Sequence, residues 1–175
     1  MSVMVLESER LLLRHLTPDD AAFILELLNE PGFLENIGDR QVRDLEGARR
    51  YVADGPAVSY ARHGFGLWWV GLKATAEPVG ICGLIKREVL EHPDIGYAFL
   101  ARFSGQGFAS EAGAAVLAYG RRALGLGRIV AITKPDNAGS IRVLQKIGLK
   151  FDGMVDLADH GGESRYFISD AEFGV

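Results

Sequence analysis

The sequence predicts an α/β domain on a mixed sheet, in the order β-α-α-β-β-β-α-β-α-β-β. Three observations predict it. Near the start, apolar residues recur at helical spacing. Between 65 and 100, β-rich runs follow one another with short turns between them. At 104–107 a glycine-rich stretch joins a strand to a long helix-forming segment. The chain has 175 residues, of which 48% are hydrophobic. That suits one domain over 1–175 with a continuous core, and excludes disorder and collagen-like repeats.

Taken in order, 5–16 (VLESERLLLRHL) suits a first strand. Thr17-Pro18-Asp19-Asp20 is a helix start, with a capping hydroxyl, proline in the first turn and acids at the positive helix end. Phe23, Ile24, Leu27 and Leu28 then repeat at helical spacing, and Pro31-Gly32 ends that helix. A second helix covers 44–54, capped by Asp44, with Ala48, Tyr51 and Val52 on one stripe. FGLWWVGLK and PVGICGLIKR form a hairpin turning at 74–77, and IGYAFL adds a strand at 95–100. A helix runs from about 109 to 124, a buried strand over 128–133, and a helix over 138–147 that Gly148 terminates. Strands at 150–156 and 164–169 close the chain, with His160-Gly161-Gly162 turning between them.

The formal net charge is −4, a poor fit to nucleic-acid binding, which shows a basic excess. Cys82 is the one cysteine, so neither a disulfide framework nor a cysteine-based metal site is expected. No apolar run reaches the roughly 18 residues of a membrane span, and the N-terminus carries no secretory cleavage pattern. A cytoplasmic location is the expectation. The 22 glycines are well above the usual share of about 7%.

Two of them define the most informative segment. A strand runs through Phe99 and Leu100 into a turn holding Gly105 and Gly107, and a helix opens directly after. Helix N-termini present N–H groups without intrahelical partners at the positive end of the dipole, and glycine lets backbone approach a ligand. Together these make an anion site suited to a phosphate or pyrophosphate. The competing reading is a connection that merely turns the chain. No Lys-Ser or Lys-Thr follows, so it is not a Walker loop, and the spacing differs from the dinucleotide fingerprint.

Arg102-x-x-Gly105-x-Gly107-x-Ala109 resembles the acetyl-coenzyme A (acetyl-CoA) pyrophosphate loop of the GNAT N-acetyltransferase superfamily, written Gln/Arg-x-x-Gly-x-Gly/Ala. Asn137-Ala138-Gly139-Ser140 through Lys146-Ile147-Gly148-Leu149 resembles the second motif of its RimJ/RimL-like branch, the ribosomal-protein-alanine acetyltransferase type. Leu149 stands where that motif usually has Phe. The opening LESERLLLRHLTPDDA also resembles the branch, and the likeness spans roughly 7–169.

The resemblance implies the GNAT-like acyl-CoA N-acyltransferase fold, in which the fourth and fifth strands, here 94–100 and 128–133, splay apart. Main-chain groups around Phe99 and Leu100 would hold the pantetheine arm. N–H groups of Gly105, Gln106, Gly107, Phe108, Ala109 and Ser110 would cradle the pyrophosphate. Arg102 and Lys146 are candidate additions to the cofactor site, with solvated surface charge as the alternative for each.

The implied reaction is direct attack of an amine on the thioester, without an acetyl-enzyme and without a metal. It requires a base, stabilisation of the oxyanion and a donor for the leaving thiolate. Many family members use a tyrosine on the last helix as donor; here that position is Leu144. Asn137 and Ser140 of the second motif would face the cofactor, with Ser140 donating to the sulfur, or would simply cap their helix. Asp94 matches the position of the family's base, or is a solvated acid at a strand end. Tyr97 lines the acceptor pocket or packs in the core. Cys82 reads as a packed thiol. Of Trp68 and Trp69, one is expected in the core and the other over the pocket.

The expected partners are acetyl-CoA and an amine acceptor, a protein N-terminus or a small molecule, with the protein a monomer or homodimer. The acceptor side would be shaped by the two N-terminal helices and by 33–43. A non-catalytic acyl-CoA sensor on the same fold is the alternative. A nucleotide- or phosphosugar-binding protein would use the glycine turn but leave the second motif unexplained.

Overall fold

In chain order the elements of the computed structural model, which describes residues 2–157 and 162–169, are β1 (Met4–Glu7), β2 (Leu11–Arg14), α1 (Ala21–Leu28), α2 (Pro31–Asn36), α3 (Leu45–Asp54), α4 (Pro56–His63), β3 (Leu67–Leu72), β4 (Pro78–Ile85), β5 (Asp94–Phe99), α5 (Phe108–Arg122), β6 (Val130–Thr133), α6 (Ala138–Lys146), β7 (Lys150–Leu157) and β8 (Gly162–Ile168).

The single strand expected over 5–16 is a hairpin. The polar Ser8-Glu9-Arg10 segment turns the chain, and the Ser8 N–H donates to Leu11 O at 2.9 Å. Thr17 caps as expected. Its hydroxyl accepts from the Asp19 N–H at 3.3 Å, and Asp20 reaches back to the Thr17 N–H at 2.9 Å. Pro31 does not merely end α1: it sits in the first turn of α2, where a missing N–H costs nothing. Asp44 caps α3 by accepting from the Gly47 N–H at 2.7 Å. The sequence reading omitted α4, although Pro56 opens it and Gly64, left-handed at φ 77°, closes it. The expected turn at His160-Gly161-Gly162 falls mostly outside the described residues; Gly162 begins β8.

The eight strands form one sheet in the order β1-β2-β3-β4-β5-β6-β8-β7, antiparallel except where β5 meets β6. Two-residue alternation sends each strand's side chains to two faces. On one face Leu11, Leu13, Trp68, Val70, Cys82, Leu84 and Ile95 pack against Phe108, Ala112, Val116 and Leu117 of α5 and Leu144 of α6. On the other, Trp69 and Ile81 pack against Ile24, Leu27, Leu28, Phe33, Ala48 and Val52 of the N-terminal helices. Both tryptophans are thus core residues, one per face. Cys82 is fully buried, and burial pushes its thiol far above the usual range.

Candidate active site

β5 and β6 run parallel and meet at Asp94 opposite Val130. Beyond that point they diverge. A cleft of about 860 Å³ opens between them, lined by Gly96 to Phe99 on one side and Ile132 to Lys134 on the other. The expected splay is present; the strands count as fifth and sixth because the first expected strand is two.

The phase of β5 is set by one bond, from the Leu100 N–H to Val79 O at 2.9 Å. In an antiparallel pair alternate residues turn their main-chain groups away from the neighbour. Tyr97 and Phe99 therefore direct N–H and C=O toward the gap, whereas Leu100 does not. Leu100 O accepts from the Phe103 N–H at 3.0 Å, and the side chain is fully buried on the α1–α3 face. The exposed edge of β5 is thus carried by Tyr97 and Phe99, a correction to the expectation for Leu100.

At one end of the cleft, Gly105 and Gly107 hold φ of 77° and 82°, a region that L side chains avoid. The first helical bond of α5 runs from the Glu111 N–H to Gly107 O at 3.0 Å. The N–H groups of Phe108, Ala109 and Ser110 precede it, and all three residues line the cleft with Gly105 and Gly107. A Cβ at Gly105 would meet nothing within 4 Å, so open space faces the turn there. Gln106 is exposed and outside the lining.

Glu111 fixes this helix start to the β1–β2 turn. It accepts from Ser8 Oγ at 2.5 Å, the Arg10 N–H at 2.8 Å and Arg10 Nε at 2.7 Å. Arg102 is half exposed, in keeping with its surface-charge alternative. Its guanidinium pairs with Glu26 of α1 and lies outside the cleft lining, so it ties the turn to α1. Cations that do line the cleft include Lys146, one of the two candidates from the sequence, and Lys134 and Arg142, which were not among them. Arg142 and Lys146 stand four apart on α6, a spacing visible in the sequence.

Asp94 is not a solvated strand-end acid. It is 1% exposed and accepts from Arg87 Nε at 2.9 Å. Burial raises its carboxyl to about 6, against the lowering pull of the Arg87 guanidinium. Asp94 is paired with Ile85, and the next same-face residue, Gly96, approaches Ile85 and Leu67. Asp94 thus faces the side bounded by Phe33, Ile37, Tyr51 and Ile81.

Tyr97 faces the other way, toward α6. Its hydroxyl lies 2.8 Å from Ser140 Oγ and 3.2 Å from Ser140 O. Burial holds its phenol well above the ordinary tyrosine range. Asn137 caps α6, accepting the Ser140 N–H at 3.2 Å, and both residues also line the cleft. Asn137 thus caps its helix from a place on the cleft wall.

Among the described residues no group of three or more His, Cys, Asp or Glu could hold a metal, and no helix is long and apolar enough to cross a membrane.

Comparison with known proteins places this geometry. Residues 10–150 match the family described as acetyltransferase (GNAT) domain. An uncharacterized N-acetyltransferase, YoaA of Bacillus subtilis, is 30% identical over 152 residues, covering 86% of this chain and 85% of that one. A GNAT-family acetyltransferase structure from Bacillus anthracis superposes with a TM-score of 0.80 at 26% identity, over 98% of this chain and 99% of the other. RimL, a ribosomal L7/L12 α-N-protein acetyltransferase solved with coenzyme A, gives a TM-score of 0.81 at 19% identity, over 97% and 99%. The chain belongs to the GNAT acetyltransferase family, as an N-acetyltransferase.

Proposed function

We propose that the cleft binds acetyl-CoA on its α5/α6 side and a primary amine on its α1–α3 side, and that the acetyl group passes directly between them in a ternary complex. The observation that carries this reading is the division of β5 by face: Asp94 toward the N-terminal helices, Tyr97 and Ser140 toward α6. A buried acid of raised pKa and a hydroxyl pair, on opposite faces of one open strand, suit proton transfer across a gap. An acyl-CoA sensor needs neither, which favours turnover over sensing.

The residues present fit the cosubstrate. N–H groups of Phe108, Ala109 and Ser110, with the glycine turn before them, would take the pyrophosphate. Lys146 and Arg142 would add charge, and the free edge at Tyr97 and Phe99 would pair with the pantetheine amides. When bound, acetyl-CoA supplies an activated acyl thioester. Asp94 takes a proton from the acceptor ammonium, directly or through water, and Ser140 donates a hydrogen bond to the departing sulfur. Asn137 fixes the start of α6 and so the place of Ser140. No step in this reading is assigned to a metal.

The acceptor side is walled by Phe33, Ile37, Leu67, Ile81 and Ile85, with Arg40, Asn36 and Glu30 also in the lining. That fits an amine with an apolar body, a protein N-terminus or a small molecule. The Asn137–Gly148 segment and the likeness to RimL support placement in the RimJ/RimL-like branch. A cytoplasmic protein, monomeric or homodimeric and without a nucleic-acid partner, completes the proposal.

An acceptor panel tests it. Amines, amino acids and short peptides are incubated with protein and acetyl-CoA, with release of free CoA thiol and acetylated product read together. The reading expects thiol release with at least one amine, lost in Asp94→Asn. Tight acetyl-CoA binding without thiol release across the panel would favour the sensor instead.

A further inference from the structure

We propose that Tyr97 is a positioning residue that turns the Ser140 hydroxyl toward the thioester sulfur. This rests on the reading of Ser140 as the group facing that sulfur. The α6 position that the family resemblance assigns to a tyrosine donor holds Leu144, which is 1% exposed and packed in the core. The structure instead brings a tyrosine hydroxyl to the same helix from β5, 43 residues earlier in the chain.

The donor direction follows from chemistry. A phenol is more acidic than an aliphatic alcohol, so it is the better donor of the pair. Tyr97 is then the donor, nearer to Ser140 Oγ at 2.8 Å than to Ser140 O at 3.2 Å, and it occupies one lone pair of Oγ. The Ser140 O–H is then left to point elsewhere, and Ser140 is one of the residues that line the cleft. A thiolate sulfur only accepts, so Ser140 must donate to it, and the arrangement of Tyr97 permits that without a rotor search. Tyr97 itself loses no proton. It is largely buried, and its ionised form is disfavoured there. The proton that finally neutralises the thiolate is the second one shed by the acceptor nitrogen, so the serine returns unchanged.

A double-mutant cycle tests this, since Tyr97→Phe keeps the ring and its packing. Tyr97→Phe is expected to lower kcat about tenfold, the worth of one oriented hydrogen bond, with the acetyl-CoA KM changed less than twofold. In a Ser140→Ala background the same substitution should cost less than twofold, because the group it orients is gone.

A second readout needs no turnover. The thiol pKa of bound free CoA, followed by thiolate ultraviolet absorbance, should rise in Ser140→Ala and rise likewise in Tyr97→Phe. Desulfo-CoA should bind both variants as it binds the wild type. Equal losses from Tyr97→Phe in both backgrounds, or a bound-CoA thiol indifferent to Tyr97, would overturn the inference while leaving Ser140 in place. Full kcat and an unshifted thiol in Ser140→Ala would overturn the donor assignment beneath it.

Discussion

Arg87 Nε lies 2.9 Å from Asp94 Oδ1, at a place where the Asp94 side chain is 2% exposed. Burial wins over the guanidinium, and the carboxyl sits at about 6 rather than in its ordinary range. A group that acts as base must be ionised, so kcat/KM is expected to rise with pH through about 6 and then level. Arg87→Met removes a lowering influence and should move that limb to higher pH. Asp94→Asn should abolish it and slow turnover by about 10²–10⁴. A limb that stays fixed in Arg87→Met would show that another group is being titrated.

The same shift carries a stability consequence of defined sign. The folded protein binds this proton more tightly than the unfolded chain does, so the site's contribution falls as pH rises from about 4 to about 6. Urea midpoints should show wild type losing stability relative to Asp94→Asn across that window, and no relative change at higher pH.

Gly107 opens α5 at φ 82°, with Arg10 Nη2 3.4 Å from where a Cβ would stand. Gly107→Asp brings both left-handed strain, about 1–2 kcal/mol, and a negative charge to the N–H cradle. Acetyl-CoA binding measured by calorimetry should weaken at least about tenfold. Gly127→Ala, at a position with open space around it, serves as the control and should bind normally. Unchanged affinity in Gly107→Asp would mean that the phosphates lie elsewhere.

Glu111 accepts three hydrogen bonds from the β1–β2 turn while standing in the first turn of α5. Glu111→Ala removes all three bonds, but water can replace the two exposed ones to Arg10, so the cost is about 0.5–1.5 kcal/mol. A chain of this size loses about 2–4 °C of Tm per kcal/mol, which thermal unfolding can read. Glu111→Gln keeps one acceptor oxygen and should lose less. Equal Tm values for all three proteins would contradict the anchoring role.

Much of the fold was legible because local chemistry dictates it. Thr17, Asp44 and Gly148 punctuate helices by their own hydrogen bonds and dihedral freedom, and the 104–107 turn was readable for the same reason. What stayed hidden depends on contacts between distant segments. Nothing near Arg102 in sequence announces Glu26, 76 positions away. Nothing near Tyr97 announces Ser140, because their meeting depends on how α6 docks across the gap. The burial of Asp94 depends on Arg87 and on β6 arriving beside it. The α4 helix is hidden for a different reason: Pro56 and Gly64 mark its ends, but its sequence PAVSYARH buries too little to show a clear apolar stripe.

Intact-protein mass spectrometry distinguishes direct transfer from an acetyl-enzyme. The protein is mixed with acetyl-CoA alone and weighed, then an acceptor amine is added and free thiol is followed. Direct transfer predicts an unmodified protein before the acceptor arrives, and thiol release equal to acetylated amine afterwards. A protein-bound acetyl group formed without acceptor, and consumed when the amine is added, would contradict it.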